Sequence, residues 1–203
     1  KSKIKKITFI GNKVFKDKKL KNIIVSEETK FWKFLSNKKY LNQNIIDLDV
    51  SLLKNFYLNK GYYGIEVRST FAKIDETGNF ELVYNIDAKE KFFFNNLELK
   101  IPDDFNRDNY EKVTKLFSDL KGKNYSIYSI EKILEKIEAI SIRDEYESIK
   151  ATVEENIDKN KIDLLFEIKK TERYFVDRIN IFGNNVTQEN VIRNQFEIDE
   201  GDP

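Results

Sequence analysis

The alternation of apolar and polar residues predicts three strands in the first part of the chain. Residues 5–10 alternate with a period of two, as a strand with one buried face does. Residues 65–72 and 80–87 alternate in the same way on either side of a polar stretch that contains a glycine. That stretch, residues 75–79, predicts a hairpin turn between the last two strands.

Two helices are predicted between the first strand and the second. Gly11 and Asn12 turn the chain after the first strand, and Asp17 is the predicted N-cap of a short helix. A longer helix over 44–60 is followed by Gly61, at the position where a left-handed residue closes a helix. The predicted buried face of the longer helix consists of apolar residues at helical spacing, namely Ile45, Leu48, Leu52, Leu53 and Phe56.

The same series of elements returns further along the chain. Residues 7–12 resemble residues 179–184, and residues 86–92 resemble residues 168–174 at an offset of 82 positions. A middle copy is predicted to contain a strand at 97–101, a helix near 107–119, a second helix capped by Ser126, and strands at about 147–154 and 161–168. We therefore interpret the chain as a tandem repeat.

The repeat predicts two complete modules and part of a third, with boundaries at residues 1–91, 92–173 and 174–203. Each complete module has the order β-α-α-β-β, which predicts the α+β class with a three-stranded mixed sheet covered on one face by two helices. Gly183 and Asn184 repeat the turn of Gly11 and Asn12. The middle module has no Gly-Asn at residues 100–104, so its first turn is expected to differ.

The composition then narrows the chemistry that the chain can perform. Histidine, cysteine and methionine are absent, and 36 basic against 35 acidic residues leave a net charge of +1. No thiolate or imidazole is therefore present for catalysis or metal binding, and the charge disfavours bulk attraction to nucleic acid. No apolar run is long enough for a transmembrane helix. Since even position 1 is not methionine, we expect this chain to be a piece of a larger protein.

Adjacent and nearby carboxylates offer no convincing acid–base pair. The candidates are Asp47 with Asp49, Asp103 with Asp104, and Glu154 with Glu155. Neighbouring residues on a strand point to opposite faces, and such pairs on helices and loops are expected to be solvated. Phosphate-binding loops, nucleophile elbows and metal-ligand spacings are also lacking in the sequence. The sequence therefore predicts that the chain is not an enzyme and needs no cofactor.

The repeated module, with Gly-Asn after its first strand, resembles the POTRA (polypeptide-transport-associated) domain, in particular that of BamA-type outer-membrane proteins. The aromatic segment at residues 31–40 is similar to the inter-helix segment of the third POTRA domain in that family. Residues 56–70 resemble the passage from helix to edge strand in the same domain. On this resemblance the second module corresponds to the fourth POTRA domain, and residues 174–203 to the first half of the fifth.

The resemblance implies a function in the periplasm, as part of the outer-membrane β-barrel assembly machinery. The chain would bind unfolded outer-membrane proteins by β-augmentation, receive them from periplasmic chaperones, and scaffold lipoprotein subunits, while a barrel elsewhere in the full-length protein is embedded in the membrane. Two alternatives remain open. One is a POTRA string of another outer-membrane translocation or secretion transporter, and the other, from a different class, is a nucleic-acid-binding α+β module.

A candidate docking site for clients lies on the second strand of the first module. The resemblance places this strand at the sheet edge, where its residues are Ile65, Glu66, Val67, Arg68, Ser69, Thr70 and Phe71. An unpaired edge presents backbone donors and acceptors that an extended peptide can satisfy. The charges of Glu66 and Arg68 also suit an edge that is protected against pairing.

Three further regions are candidates for contacts. A charged stretch that ends in an aromatic residue predicts an inter-module hinge at two places, Lys91 with Phe92 and Arg173 with Tyr174, although solvated strand ends fit the same pattern. The aromatic segment at 31–40 either forms an exposed contact or packs over the helices of its own module. The resemblance to the fifth POTRA domain implies a lipoprotein contact at Arg193, Glu197 and Glu200.

Overall fold

The computed structural model contains two three-stranded sheets, and each sheet has its own helices and hydrophobic core. It describes residues 3–29, 40, 42–74, 76–145 and 148–171. The first module consists of β1 (Lys3–Ile10), α1 (Asp17–Lys21), α2 (Gln43–Leu58), β2 (Glu66–Lys73) and β3 (Asn79–Asp87). The second consists of β4 (Phe93–Lys100), a 3₁₀ turn (Arg107–Tyr110), α3 (Glu111–Leu120), α4 (Ile127–Ile140), a π-helical turn (Ser141–Glu145), β5 (Ile149–Asp158) and β6 (Lys161–Lys170). The predicted α+β class and the order β-α-α-β-β are confirmed.

Both sheets are mixed and share one topology. The strand orders are β1-β3-β2 and β4-β6-β5, with the first strand parallel to the central strand and the edge strand antiparallel to it. Strand β4 begins at Phe93, so the predicted start at residue 97 is wrong. Phe93 and Phe94 already pair with β6, but a register shift between Phe94 and Leu97 breaks the alternation on which the prediction depended.

The face that helix α2 buries overlaps only in part with the one that its apolar residues predict. The buried residues are Ile46, Asp49, Leu53 and Tyr57, whereas Leu48 is 48% exposed. Of the predicted face only Leu53 is fully buried, while Phe56 is half-buried and packs against the same core. One reason is that α2 carries more apolar residues than one face can hold. The other is that Asp49 and Tyr57, on the buried face, form hydrogen bonds inside the module.

The Gly11–Asn12 turn is required by close packing and fixed by side-chain bonds. Gly11 has φ +73°, and a Cβ there would lie 2.5 Å from the carbonyl oxygen of Ile86. The Asn12 side-chain oxygen accepts bonds from the Val14 and Phe15 amides, both at 3.1 Å, and from the Tyr57 hydroxyl at 2.8 Å. The Asn12 side chain therefore connects the segment before α1 to α2 by hydrogen bonds.

The helix ends follow the predictions in part. Gly61 has the expected positive φ, +95°, and the Ser126 side chain caps α4 by accepting a bond from the Ser129 amide. The prediction that Asp17 caps α1 is wrong, because Lys16 holds the cap position without a side-chain bond. Asp17 is instead the first helical residue, where its negative charge favours the helix N-terminus. Within the described residues, no helix is both long and apolar enough to cross a membrane.

Candidate strand-docking site

Strand β2 forms one edge of the first sheet. Among the strands that the structure describes it pairs only with β3, in an uninterrupted register from Glu66 opposite Asp87 to Lys73 opposite Phe80. Ile65 precedes the strand, and its amide bonds the Tyr62 carbonyl at 3.2 Å. Of the predicted docking residues, 66–71 thus lie on the edge strand itself.

The opposite edge of the same sheet is occupied by its own chain. The Ile4 carbonyl on β1 accepts a bond from the Thr29 amide at 2.7 Å, and the Ile7 amide donates to the Glu28 carboxylate at 2.9 Å. Tyr40 adds an isolated bridge to Lys3. Because an edge whose backbone groups are already bonded offers little to another strand, β2 is the more available edge.

The second sheet repeats this asymmetry. The backbone of Phe94 on β4 exchanges two bonds with the neighbouring loop, from its amide to Lys123 at 2.9 Å and from Gly122 to its carbonyl at 2.7 Å. Strand β5 lies at the other edge and pairs only with β6 among the described strands. In both modules the strand antiparallel to the centre is therefore the less occupied edge of the described sheet, although in the second module the Ala151 amide on β5 donates a bond to the Glu138 carboxylate at 3.2 Å.

Charges on β2 are concentrated at its two ends. Glu66 lies 3.0 Å from Arg68 and 3.7 Å from Lys89, and at the far end Lys73 lies 2.8 Å from Glu76. The intervening residues 69–72 carry no charge. A client strand would therefore meet a neutral central stretch between two ion-paired ends.

The neutral stretch of β2 also exposes apolar surface. Val67 is buried, but Phe71 is half exposed and its ring contacts Phe80 edge-on, with the centroids 6.0 Å apart. A half-exposed aromatic side chain beside an open strand edge can contact the alternate side chains of a docked strand.

The ion pair of Asp87 and Lys89 beside β2 keeps its charges at neutral pH. The Lys89 ammonium donates a hydrogen bond to Asp87 and holds the pKa of that carboxyl below its usual range. The same bond raises the pKa of Lys89. This pair is thus charged throughout the physiological pH range.

The predicted inter-module hinge falls partly on described residues. The Phe92 amide bonds the Gly61 carbonyl at 2.8 Å, its carbonyl accepts from Tyr125 at 2.9 Å, and its ring lies 5.4 Å from that of Tyr63. Lys91 places its ammonium over the Tyr62 ring. The remaining predicted residues lie outside the described part of the chain, namely Arg173, Tyr174, Gly183, Asn184, Arg193, Glu197, Glu200 and the aromatic residues of 31–39.

One carboxylate expected to be solvated is fully buried. Asp49 accepts bonds from the Val25 amide at 2.5 Å, the Ser26 amide at 3.2 Å and the Tyr84 hydroxyl at 2.6 Å. These donors hold the loop after α1 against α2 and β3, which is a structural arrangement. Within the described ranges, no three His, Cys, Asp or Glu side chains group so as to hold a metal ion.

Comparisons with known proteins agree on one family. Residues 2–89 match the family model for POTRA, described as a surface antigen variable number repeat. The outer membrane protein assembly factor BamA of Buchnera aphidicola is 29% identical over 98% of this chain, and that of Neorickettsia risticii is 26% identical over 98%. The chain spans 32% and 27% of the length of these two relatives.

The solved structures agree on the fold. The crystal structure of Haemophilus influenzae BamA POTRA3-5 superposes with a TM-score of 0.68, covering 99% of this chain and 79% of that one. At 18% identity this likeness concerns the fold alone.

Proposed function

Because this chain is a tandem POTRA region of the BamA type, we propose that it works in the periplasm as part of an outer-membrane protein assembly factor. In this role it binds unfolded outer-membrane proteins transiently, as they arrive from periplasmic chaperones. It acts by binding alone, without catalysis or a cofactor, and the full-length protein is anchored in the outer membrane by a barrel outside this chain.

The module boundaries proposed for this region are 1–91, 92–173 and 174–203. Support comes from the two separate sheets and cores, and from the family match over residues 2–89. Lipoprotein subunits of the assembly machinery would dock at Arg193, Glu197 and Glu200, a proposal that rests on the resemblance of residues 174–203 to a fifth POTRA domain.

Strand β2 is the proposed site of client binding by β-augmentation. The observation that carries this proposal is the contrast between the two edges of the first sheet. The β2 edge pairs only with β3 in the described structure, whereas the β1 edge is bonded by residues 28 and 29. Backbone pairing does not depend on the sequence of the added strand, which suits a protein that handles many different clients.

Two threonines at one register position allow a direct test, although Thr70 is exposed and Thr8 is half-buried, with its hydroxyl donating to Glu81 at 2.6 Å. Thr8 on β1 and Thr70 on β2 flank Val83 of β3 from its two sides. The chain has no cysteine, so Thr8→Cys and Thr70→Cys each introduce a single reactive thiol into this region. The experiment measures disulfide formation between either variant of the full-length protein, freed of any other cysteine, and an unfolded β-barrel protein with one cysteine.

We expect the Thr70→Cys variant to crosslink to the client and the Thr8→Cys variant to crosslink much less. Equal yields from the two edges, or a higher yield from Thr8→Cys, would contradict docking at β2. Absence of crosslinks from Thr70→Cys, in a protein that still assembles barrels in vitro, would show that clients bind elsewhere.

A further inference from the structure

A side chain of α4 contacts the edge of the second sheet at β5. The amide of Ala151, which lies opposite Ile168 of β6, donates its bond to the carboxylate of Glu138 at 3.2 Å. Because an amide points in one direction only, that of Ala151 points away from β6, to the side where an added strand would bond it. Glu138 therefore occupies a hydrogen-bonding position that a docked strand needs.

The first module cannot form the same contact at β2. Buried residues have the same spacing on the two helices, at Ile46, Asp49 and Leu53 of α2 and at Ile130, Ile133 and Ile137 of α4. This spacing places Lys54 where α4 has Glu138. On the strands, Val67 takes the place of Ala151, because their partners on β3 and β6 correspond at the repeat offset of 82 positions. A lysine ammonium has no acceptor atom, so it cannot bond a strand amide.

Charge also distinguishes the two edge strands. Glu154 and Glu155 lie next to each other in the middle of β5, and both are exposed, whereas residues 69–72 of β2 carry no charge. The Glu155 carboxylate accepts bonds from the Tyr63 hydroxyl at 2.8 Å and from the Tyr125 hydroxyl at 3.1 Å, which keep it beside the strand. Charged residues within an edge strand disfavour pairing with another strand. The β5 edge thus combines an occupied amide with charges at its centre.

We propose that Glu138 closes the β5 edge to added strands, so that client strands dock on β2 and not on β5. This selectivity between the two sheets rests on the proposed docking at β2, but the contact that produces it lies within the second module. Backbone pairing does not depend on the sequence of the added strand, so an open β5 edge would compete with β2 for the same clients. An open edge also pairs with other copies of the same chain, and Glu138 reduces that hazard.

Amide hydrogen exchange measured by NMR on this chain, with and without an unfolded segment of a β-barrel protein, tests the role of Glu138. The reporter is the Val153 amide, which the alternation along a strand places on the same side as that of Ala151. In the unchanged chain we expect the segment to leave exchange at Val153 unaltered. In Glu138→Ala we expect the segment to slow it about tenfold, because an added strand can then pair along β5. Glu138→Lys, which copies Lys54 of the first module, should behave in the same way.

The matched control is Glu138→Gln, whose amide oxygen can still accept the bond from Ala151. We expect the segment to leave exchange at Val153 unaltered in this variant. Slow exchange at the central strand β6 in every variant shows that the module is folded. Slowing at Val153 in the unchanged chain, or none in Glu138→Ala and Glu138→Lys, would overturn the proposal, and so would equal slowing in the alanine and glutamine variants.

The same spectra report the proposed function separately, through the amides of β2. If the segment slows exchange on β2 but the variants do not open β5, docking at β2 stands and the role of Glu138 is refuted. If the segment never slows exchange on β2, docking at β2 is refuted, while Val153 still decides the role of Glu138.

Discussion

At the scale of single residues, the buried carboxylate of Asp49 organises the first module. Its three donors come from the loop after α1 and from β3, while Asp49 itself lies on α2. Burial, and then the bond to Asp49, raise the pKa of Tyr84 well above its ordinary value, so the hydroxyl remains protonated and donates. Nothing in the sequence near Asp49 distinguishes it from the exposed Asp47 two residues earlier, because its partners are 23 to 35 positions away. Its role could not be predicted without the fold.

We predict that Asp49→Asn lowers the free energy of unfolding by about 2–3 kcal/mol, because an amide group cannot accept all three bonds and leaves buried donors unpaired. Asp47→Asn is the matched control on the exposed side of the same helix, and we expect it to change stability by less than about 0.5 kcal/mol. Urea denaturation measures both. Equal effects of the two substitutions would mean that the carboxylate of Asp49 does not stabilise the module.

A second prediction at this scale concerns pH. The hydrogen bond to Glu155, with partial burial and the carboxylate charge, raises the pKa of Tyr63 to about 12. Because this folded-state pKa is above the ordinary value of about 10, the stabilisation is complete below pH 10 and is lost as the pH rises through 12. Tyr63→Phe should therefore destabilise the chain at about pH 9, and its effect should fade towards about pH 12.

Urea titrations of the two proteins across that range provide the measurement. Tyr128→Phe is the control, since this exposed tyrosine has no described hydroxyl bond. If the difference between wild type and Tyr63→Phe stayed constant from about pH 9 to pH 12, the hydroxyl would not be the stabilising group.

At the scale of elements, apolar spacing locates the helices and strands better than it assigns their faces. The predicted bounds of α2 differ by one or two residues from Gln43–Leu58, yet only Leu53 of its predicted face is fully buried. Ile45, Leu48 and Leu52 form a second apolar stripe that the pattern cannot separate from the buried one. The second module has fewer competing apolar residues. Its α4 carries Ile130, Ile133, Leu134, Ile137 and Ile140 at helical spacing, and of these all but the half-buried Leu134 are buried.

Substitution by alanine is expected to lower stability by very different amounts on the two apolar stripes of α2. Leu53→Ala should lower stability by about 2–5 kcal/mol, because Leu53 is fully buried and its truncation leaves a cavity. Leu48→Ala should cost less than about 1 kcal/mol, since nearly half of that side chain already contacts water. Thermal or urea unfolding distinguishes them. A larger loss from Leu48→Ala would mean that this stripe is covered in the folded protein.

At the scale of the whole molecule, the repeat predicts the fold of both modules but not the way they meet. The order of elements and the class follow from the recurrence of one pattern at an offset of 82 residues, and the mixed sheets are what the family resemblance implies. The junction depends on pairs such as Tyr63 with Glu155, which are 92 positions apart and resemble ordinary surface residues in the sequence. The difference between the two edges of the first sheet depends equally on distant contacts, such as Ile7 with Glu28.

Amide hydrogen exchange on the two-module region, with and without an unfolded β-barrel segment, tests the central claim most directly. Along an edge strand, successive amides point alternately towards the sheet and towards the open side. Docking at β2 should therefore slow exchange at every second amide of Glu66–Lys73, and leave β1 unchanged. Binding of the segment without protection in β2, or with protection in β1 instead, would contradict the account.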